Sequence, residues 1–192
     1  MRTFSLSATV TEVASLDELA PDERRLVLDA RSARQQAYAP YSNFLVGAAL
    51  LLDDGSTILG ANQENASYGM TACAERTAVW RAWLQGRAAS ILGIAITGGL
   101  RDERLEPPPE QRLPIRPCGA CRQVLSEARF RAQRPLFVLL DSRGGVLYRL
   151  DDVESLLPLS FDPRSLGVEP PSFPVGPPGW AEEEEKRGIL GD

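Results

Sequence analysis

The chain has 192 residues, 43% of them hydrophobic, with 21 Lys+Arg against 26 Asp+Glu and a formal net charge of −5. That length suits one core with appendages, no apolar run approaches the ~20 residues of a membrane span, and Met1-Arg2-Thr3-Phe4-Ser5 lacks the basic-then-apolar pattern of a signal peptide. The acidic balance argues against general affinity for nucleic acid or anionic membrane, so a soluble, cytoplasmic protein with neither as partner is expected.

Residues 1–20 show no clear period and read as an N-terminal extension. Pro21-Asp22-Glu23 opens a helix, because proline suits the first turn and acids there complement the positive helix end. Leu26, Val27, Ala30, Ala33 and Ala37 recur at spacings of three and four, which predicts an amphipathic helix over about 22–38. Val46–Leu52 is a short apolar run closed by the turn Asp53-Asp54-Gly55-Ser56, and Thr57–Ala61 returns as a second strand. Ala72–Gln85 reads as a helix stopped at Gly86, and Ile91–Thr97 as a buried strand. Gly98–Pro117 is a polar, proline-rich loop. A helix over Cys118–Phe130, strands at Pro135–Leu140 and Gly145–Leu150, and a short helix at Asp151–Leu156 complete the series. Alternation of this kind favours helices on both faces of one sheet with a hairpin edge. A core domain over 21–163 is expected, followed by a Pro/Gly-rich acidic tail over 164–192 that buries little apolar surface and should be mobile.

There is no histidine, which removes Ser-His-Asp and Cys-His triads and every His-ligated metal site. Lys186 is the only lysine, so acid–base chemistry falls mainly to carboxylates, Tyr and Cys. Cys73 stands at one expected helix start, and Cys118 and Cys121 span another as Pro117-Cys118-Gly119-Ala120-Cys121. Helix N-termini favour thiolates, and three thiolates from two helix starts can hold one tetrahedral zinc with its fourth position open, as a catalytic site requires. A lone Cys-x-x-Cys also fits a redox pair, though such pairs usually follow a first strand. A structural zinc ribbon needs four Cys or His ligands, and single cysteines are often simply buried. Glu75, two residues after Cys73, is placed to move protons beside such a metal, although a glutamate in a first turn can merely suit the helix dipole.

Together, Cys73-Ala74-Glu75 and Pro117-Cys118-Gly119-Ala120-Cys121 resemble the signature of the zinc-dependent deaminases. The chain further resembles the small homotetrameric three-cysteine cytidine deaminases. Tyr38–Leu50 is similar to their first-strand motif, Asn62–Tyr68 to their ribose-binding segment, Cys118–Leu125 to their second metal segment, and Leu156–Phe161 to their closing segment. The resemblance covers about residues 22–163 and implies a three-layer α-β-α sandwich around a five-stranded mixed sheet. It implies one zinc per subunit on Cys73, Cys118 and Cys121, with Glu75 as proton shuttle. Phe44 would pack on the pyrimidine, Asn62 and Glu64, flanking Gln63, would bind the ribose hydroxyls, and Ala66, Tyr68 and Phe161 would reach a neighbouring subunit's pocket. Taken alone, Tyr68 and Phe161 are ordinary core aromatics. The implied reaction is hydrolytic deamination of cytidine and 2′-deoxycytidine in pyrimidine salvage.

Three other activities fit parts of this pattern. A nucleic-acid-editing deaminase needs a basic channel that an acidic chain lacks. A deaminase of a cytosine-containing antibiotic is disfavoured by Tyr68 and Cys73–Arg76. A zinc-stabilised interaction module leaves Glu75 and the open metal position without a purpose. Three thiolates on Zn²⁺ leave a net negative charge, which weakens the metal as a Lewis acid. A nearby cation is therefore expected, Arg76 first and Arg122 second.

Overall fold

The structure is a computed structural model and describes residues 1–168. Strands β1 (Thr11–Val13), β2 (Phe44–Leu52), β3 (Thr57–Ala61), β4 (Ile91–Leu100), β5 (Phe137–Asp141) and β6 (Leu147–Leu150) form one sheet in the order β1-β6-β5-β4-β2-β3. β4 and β5 pair in parallel, and every other neighbouring pair is antiparallel. The sheet is mixed, as expected, but it has six strands rather than five. The extra strand comes from the presumed N-terminal extension: Thr11–Val13 pairs with Arg149–Leu147 at the sheet edge. A three-residue strand is too short to show a period of two, so only its pairing reveals it.

The two apolar faces of the sheet are built by alternation along the central strands. Ala48, Leu50 and Leu52 of β2, with Ile94 and Ile96 of β4, enter one core; Ala49, Leu51 and Ala95 enter the other. Helices α2 (Ala74–Leu84) and α3 (Gly119–Ala132) cover the first face through Ala74, Ala78, Val79, Ala82, Leu125 and Ala128. Helix α1 (Pro21–Ala33) covers the second through Leu26, Val27 and Ala30, joined by Val13 and Leu19 from the N-terminal segment. The three-layer sandwich is the result.

α1 has Pro21 at its start and Asp22 and Glu23 in its first turn, as the sequence suggests. It ends at Ala33, followed by a 3-10 turn over Arg34–Gln36, earlier than the expected 38. Tyr38 is extended because its backbone pairs with the segment around Gln63: Tyr38 N donates to Asn62 O, and Glu64 N to Tyr38 O. α2 likewise begins at Ala74 rather than Ala72, because Ala72 forms a backbone bridge with Gln63. β4 runs three residues past Thr97 along β2. The loop from 101 to 117 contains two 3-10 turns, Glu103–Leu105 and Pro109–Gln111. The expected short helix after β6 is a 3-10 turn over Val153–Leu156. Of the expected mobile tail, Pro163–Leu166 forms a 3-10 turn, and residues 169–192 lie outside the described residues. Among the described residues, no helix is long and apolar enough to cross a membrane.

Candidate active site

Cys73 is the N-cap of α2 and Cys118 the N-cap of α3, so the first turns of the two helices on one sheet face bring their sulfurs together. Cys121, one turn into α3, is fully buried beneath them. Cys73 Sγ lies 3.9 Å from Cys118 Sγ, which lies 3.5 Å from Cys121 Sγ, and all three sulfurs fall within 4.8 Å of one another. Ligands about 2.3 Å from a tetrahedral zinc sit roughly 3.8 Å apart, so these thiols already have the spacing that zinc requires. Among the described residues they are the only group of three or more His, Cys, Asp and Glu side chains so placed.

The thiols titrate as a set. Cys73 is held down, to about 5, chiefly by a hydrogen bond from the Cys121 thiol, with Arg76 reinforcing the effect. Cys121 is pushed up by the same hydrogen bond and by burial. Glu75 is only 4% exposed, and burial raises its carboxyl to about 7. A carboxyl so poised can both accept and release a proton near neutrality. Arg76 points back to the cluster: its Nη2 donates to Thr71 O at 2.6 Å and lies 3.9 Å from Cys73 Sγ. Its guanidinium also sits 5.6 Å from the centroid of the Trp80 ring, and its buried Nε has no hydrogen-bond partner among the described residues. Arg122 faces elsewhere. Its Nε donates to Pro117 O and its Nη1 to Leu156 O, so it ties the start of α3 to the segment after β6.

The segment 62–64 is carried to this site by its backbone. Gln63 N donates to Ala72 O and Ala72 N to Gln63 O, one residue before Cys73. Asn62 is buried and clamps the start of β2: Val46 N donates to its Oδ1 at 2.8 Å, and its Nδ2 donates to Phe44 O at 2.9 Å. Phe44 thereby stands at the strand end opposite Leu100, half exposed. Glu64 accepts from the backbone amides of Tyr41 and Ser42, and hydrogen bonds led by the Ser42 side chain keep its carboxyl below the usual carboxylate range. Tyr41, Ser42, Glu64, Tyr68 and Thr71 enclose a cavity of about 390 Å³. Gln63 itself donates its side chain to Gln36 O.

Ala66, Tyr68 and Phe161 are not drawn into the core. Tyr68 is 72% and Phe161 61% exposed, Ala66 is exposed, and Tyr68 meets Tyr41 edge-on at 5.6 Å. Phe161 is brought near the start of α3 by Gln123, whose Nε2 donates to its carbonyl at 2.7 Å. The backbone amides of Tyr41 and Ser42, and Thr71, are parts of the site that sequence reasoning did not single out. Their signal was only their nearness to motif residues.

Residues 21–134 match the profile of the cytidine and deoxycytidylate deaminase zinc-binding region. The chain belongs to this family. A cytidine deaminase of Sporosarcina psychrophila is 43% identical over 145 residues, spanning 76% of this chain and 95% of that protein. Another, from Halalkalibacterium halodurans, is 49% identical over 106 residues, 55% of this chain and 71% of its own length. The crystal structure of cytidine deaminase from Burkholderia pseudomallei superposes with a TM-score of 0.59 at 43% identity, covering 71% of this chain and 97% of that one. The matched span contains all three cysteines and Glu75.

Proposed function

We propose that this deaminase hydrolyses cytidine and 2′-deoxycytidine to uridine and 2′-deoxyuridine with release of ammonia, as a cytoplasmic enzyme of pyrimidine salvage. The observation that carries this reading is a buried glutamate, Glu75, one helical turn from three converged thiols. Cys73, Cys118 and Cys121 would hold one zinc per subunit. When bound, zinc lowers the pKa of a water and supplies a nucleophile at neutral pH. Glu75 would take a proton from the attacking water and deliver it to N3 of the ring, making C4 electrophilic as the water oxygen bonds to it. It would then carry the hydroxyl proton of that C4 adduct to the amino group, so that the C4–N bond breaks, ammonia leaves and the carbonyl forms. Arg76 offsets negative charge on the sulfurs from its place beside Cys73.

The chain's own contacts support the substrate assignments. Asn62 spends one Nδ2 hydrogen on Phe44 and retains the other for a ribose hydroxyl. Glu64 is held ionised and rigid, ready to accept from the second hydroxyl. Gln63 fixes the segment between them through its bridge to Ala72. Phe44 offers its ring face to the pyrimidine. The exposure of Ala66, Tyr68 and Phe161 fits a homotetramer in which these residues complete a neighbour's pocket. The test is a cytidine assay that follows ammonia release together with metal analysis of the purified protein. Zinc near one per chain and turnover of cytidine are expected; absence of either overturns the reading.

A further inference from the structure

Away from the thiol cluster, α1, the 101–117 loop and the end of β5 surround a cavity of about 230 Å³ lined by Arg31, Arg34, Gln35, Glu103, Arg112 and Arg143. In a chain with net charge −5 this concentration of arginine needs a reason. The four guanidinium groups are paired with three carboxylates, Asp141, Glu103 and Glu106, leaving one positive charge in excess. Many of their remaining partners are neutral. Arg34 donates to the carbonyls of Leu45, Gly99 and Leu100, and Arg112 to those of Pro107 and Arg143. Such bonds fix a guanidinium in place without cancelling its charge.

Three terminal nitrogens are left over. Arg31 uses Nε and Nη2 on Asp141, Arg34 Nη1 comes no closer than 3.7 Å to Glu103, and Arg112 bonds through Nε and Nη1. Arg31 Nη1, Arg34 Nη1 and Arg112 Nη2 therefore have no hydrogen-bond acceptor among the described residues, and none belongs to the fully buried polar atoms without partners. They remain open to a ligand. Arg34 is itself only 5% exposed, and burial together with the neighbouring Arg143 acts against its positive charge, so an added negative charge there is favoured.

We propose that this cavity is an oxyanion site that takes a phosphate group, bound by Arg31, Arg34 and Arg112. The phosphate oxygens would accept from the three open nitrogens and so join α1 to the 101–117 loop. Glu103, exposed at the rim, lies 3.7 Å from Arg34 Nη1 and 2.7 Å from Arg143 Nη1; it occupies this positive field in the absence of ligand and competes with it.

The test uses the zinc-loaded protein at fixed ionic strength, with ³¹P line broadening and thermal shift as readouts. Inorganic phosphate is expected to bind saturably and to raise the melting temperature where chloride does not. Arg112→Gln should weaken binding about tenfold, as expected for loss of one charge-assisted hydrogen bond. Glu103→Gln, a substitution at an exposed position, should tighten it. Uridine 5′-monophosphate is compared with uridine: tighter binding of the monophosphate than of either phosphate or uridine assigns the site to nucleotides, and its absence assigns it to free phosphate. A response that never saturates or that chloride reproduces overturns the proposal, as does binding that neither variant changes.

Discussion

Glu75 and Arg76 are adjacent in sequence and do different things because a helix turns between them. Glu75 faces the core, where burial lifts its carboxyl to about 7. Arg76 lies along the outer side of the thiols, with Nη2 shared between Thr71 O and Cys73 Sγ. Glu75→Gln keeps the shape and removes the exchangeable proton. It should retain zinc and bind nucleoside, yet lose at least about 10²–10⁴ in turnover, since one group serves several proton transfers. Stopped-assay kcat together with metal content checks this, and near-normal turnover with full zinc would remove Glu75 from the mechanism. Arg76→Gln should lower kcat while zinc stays bound, because a less compensated set of thiolates makes a poorer Lewis acid. Unchanged kcat would leave the backbone amides at the two helix starts as the compensating dipoles, because Arg122 is committed to Pro117 and Leu156.

At the level of elements, the site depends on how closely helices and strands approach. α1 lies almost on the backbone of β2 at Gly47: a Cβ there would meet Ala30 O at 2.1 Å and Arg34 N at 2.4 Å. Both are main-chain atoms and cannot rotate away. Gly47→Ala should destabilise the fold by about 3 kcal/mol, the upper end of ordinary overpacking, read as a fall in the urea midpoint at constant slope. Wild-type stability would mean that α1 can move off the sheet. The same contact was only half legible in sequence. The apolar run through Val46–Leu52 announced a buried strand, but the glycine within it looked like any small residue. The spacing puts the end of α1 five residues too late and the start of α2 two residues too early, because pairing of Tyr38 and Ala72 with Gln63 overrides local helix propensity.

For the whole molecule, Tyr68, Met70, Leu159 and Phe161 each leave most of an apolar side chain exposed. Covering such side chains with a second copy of the chain would be favourable. Sedimentation should show a homotetramer, and specific activity should fall as the assembly is diluted apart. A fully active monomer would mean that Ala66, Tyr68 and Phe161 serve no neighbouring pocket. The N-terminal segment belongs to the fold through Val13 and Leu19, which pack with α1.

The sequence by itself determined the chemistry and the layering. Three cysteines without a single histidine, each at a helix-start pattern and one followed by Glu75, admit few uses, and the periods of two and of 3.6 distinguish strands from helices locally. Convergence was a different matter. Cys73 and Cys118 are 45 residues apart, and only the packing of α2 and α3 on the same sheet face brings their sulfurs to 3.9 Å. The sixth strand, the clamp of Asn62 on β2, the turning of Arg122 away from the thiols and the arginine cavity beneath the 101–117 loop were likewise decided by tertiary structure. Each depends on contacts between residues distant in the chain, whose energies no local pattern records.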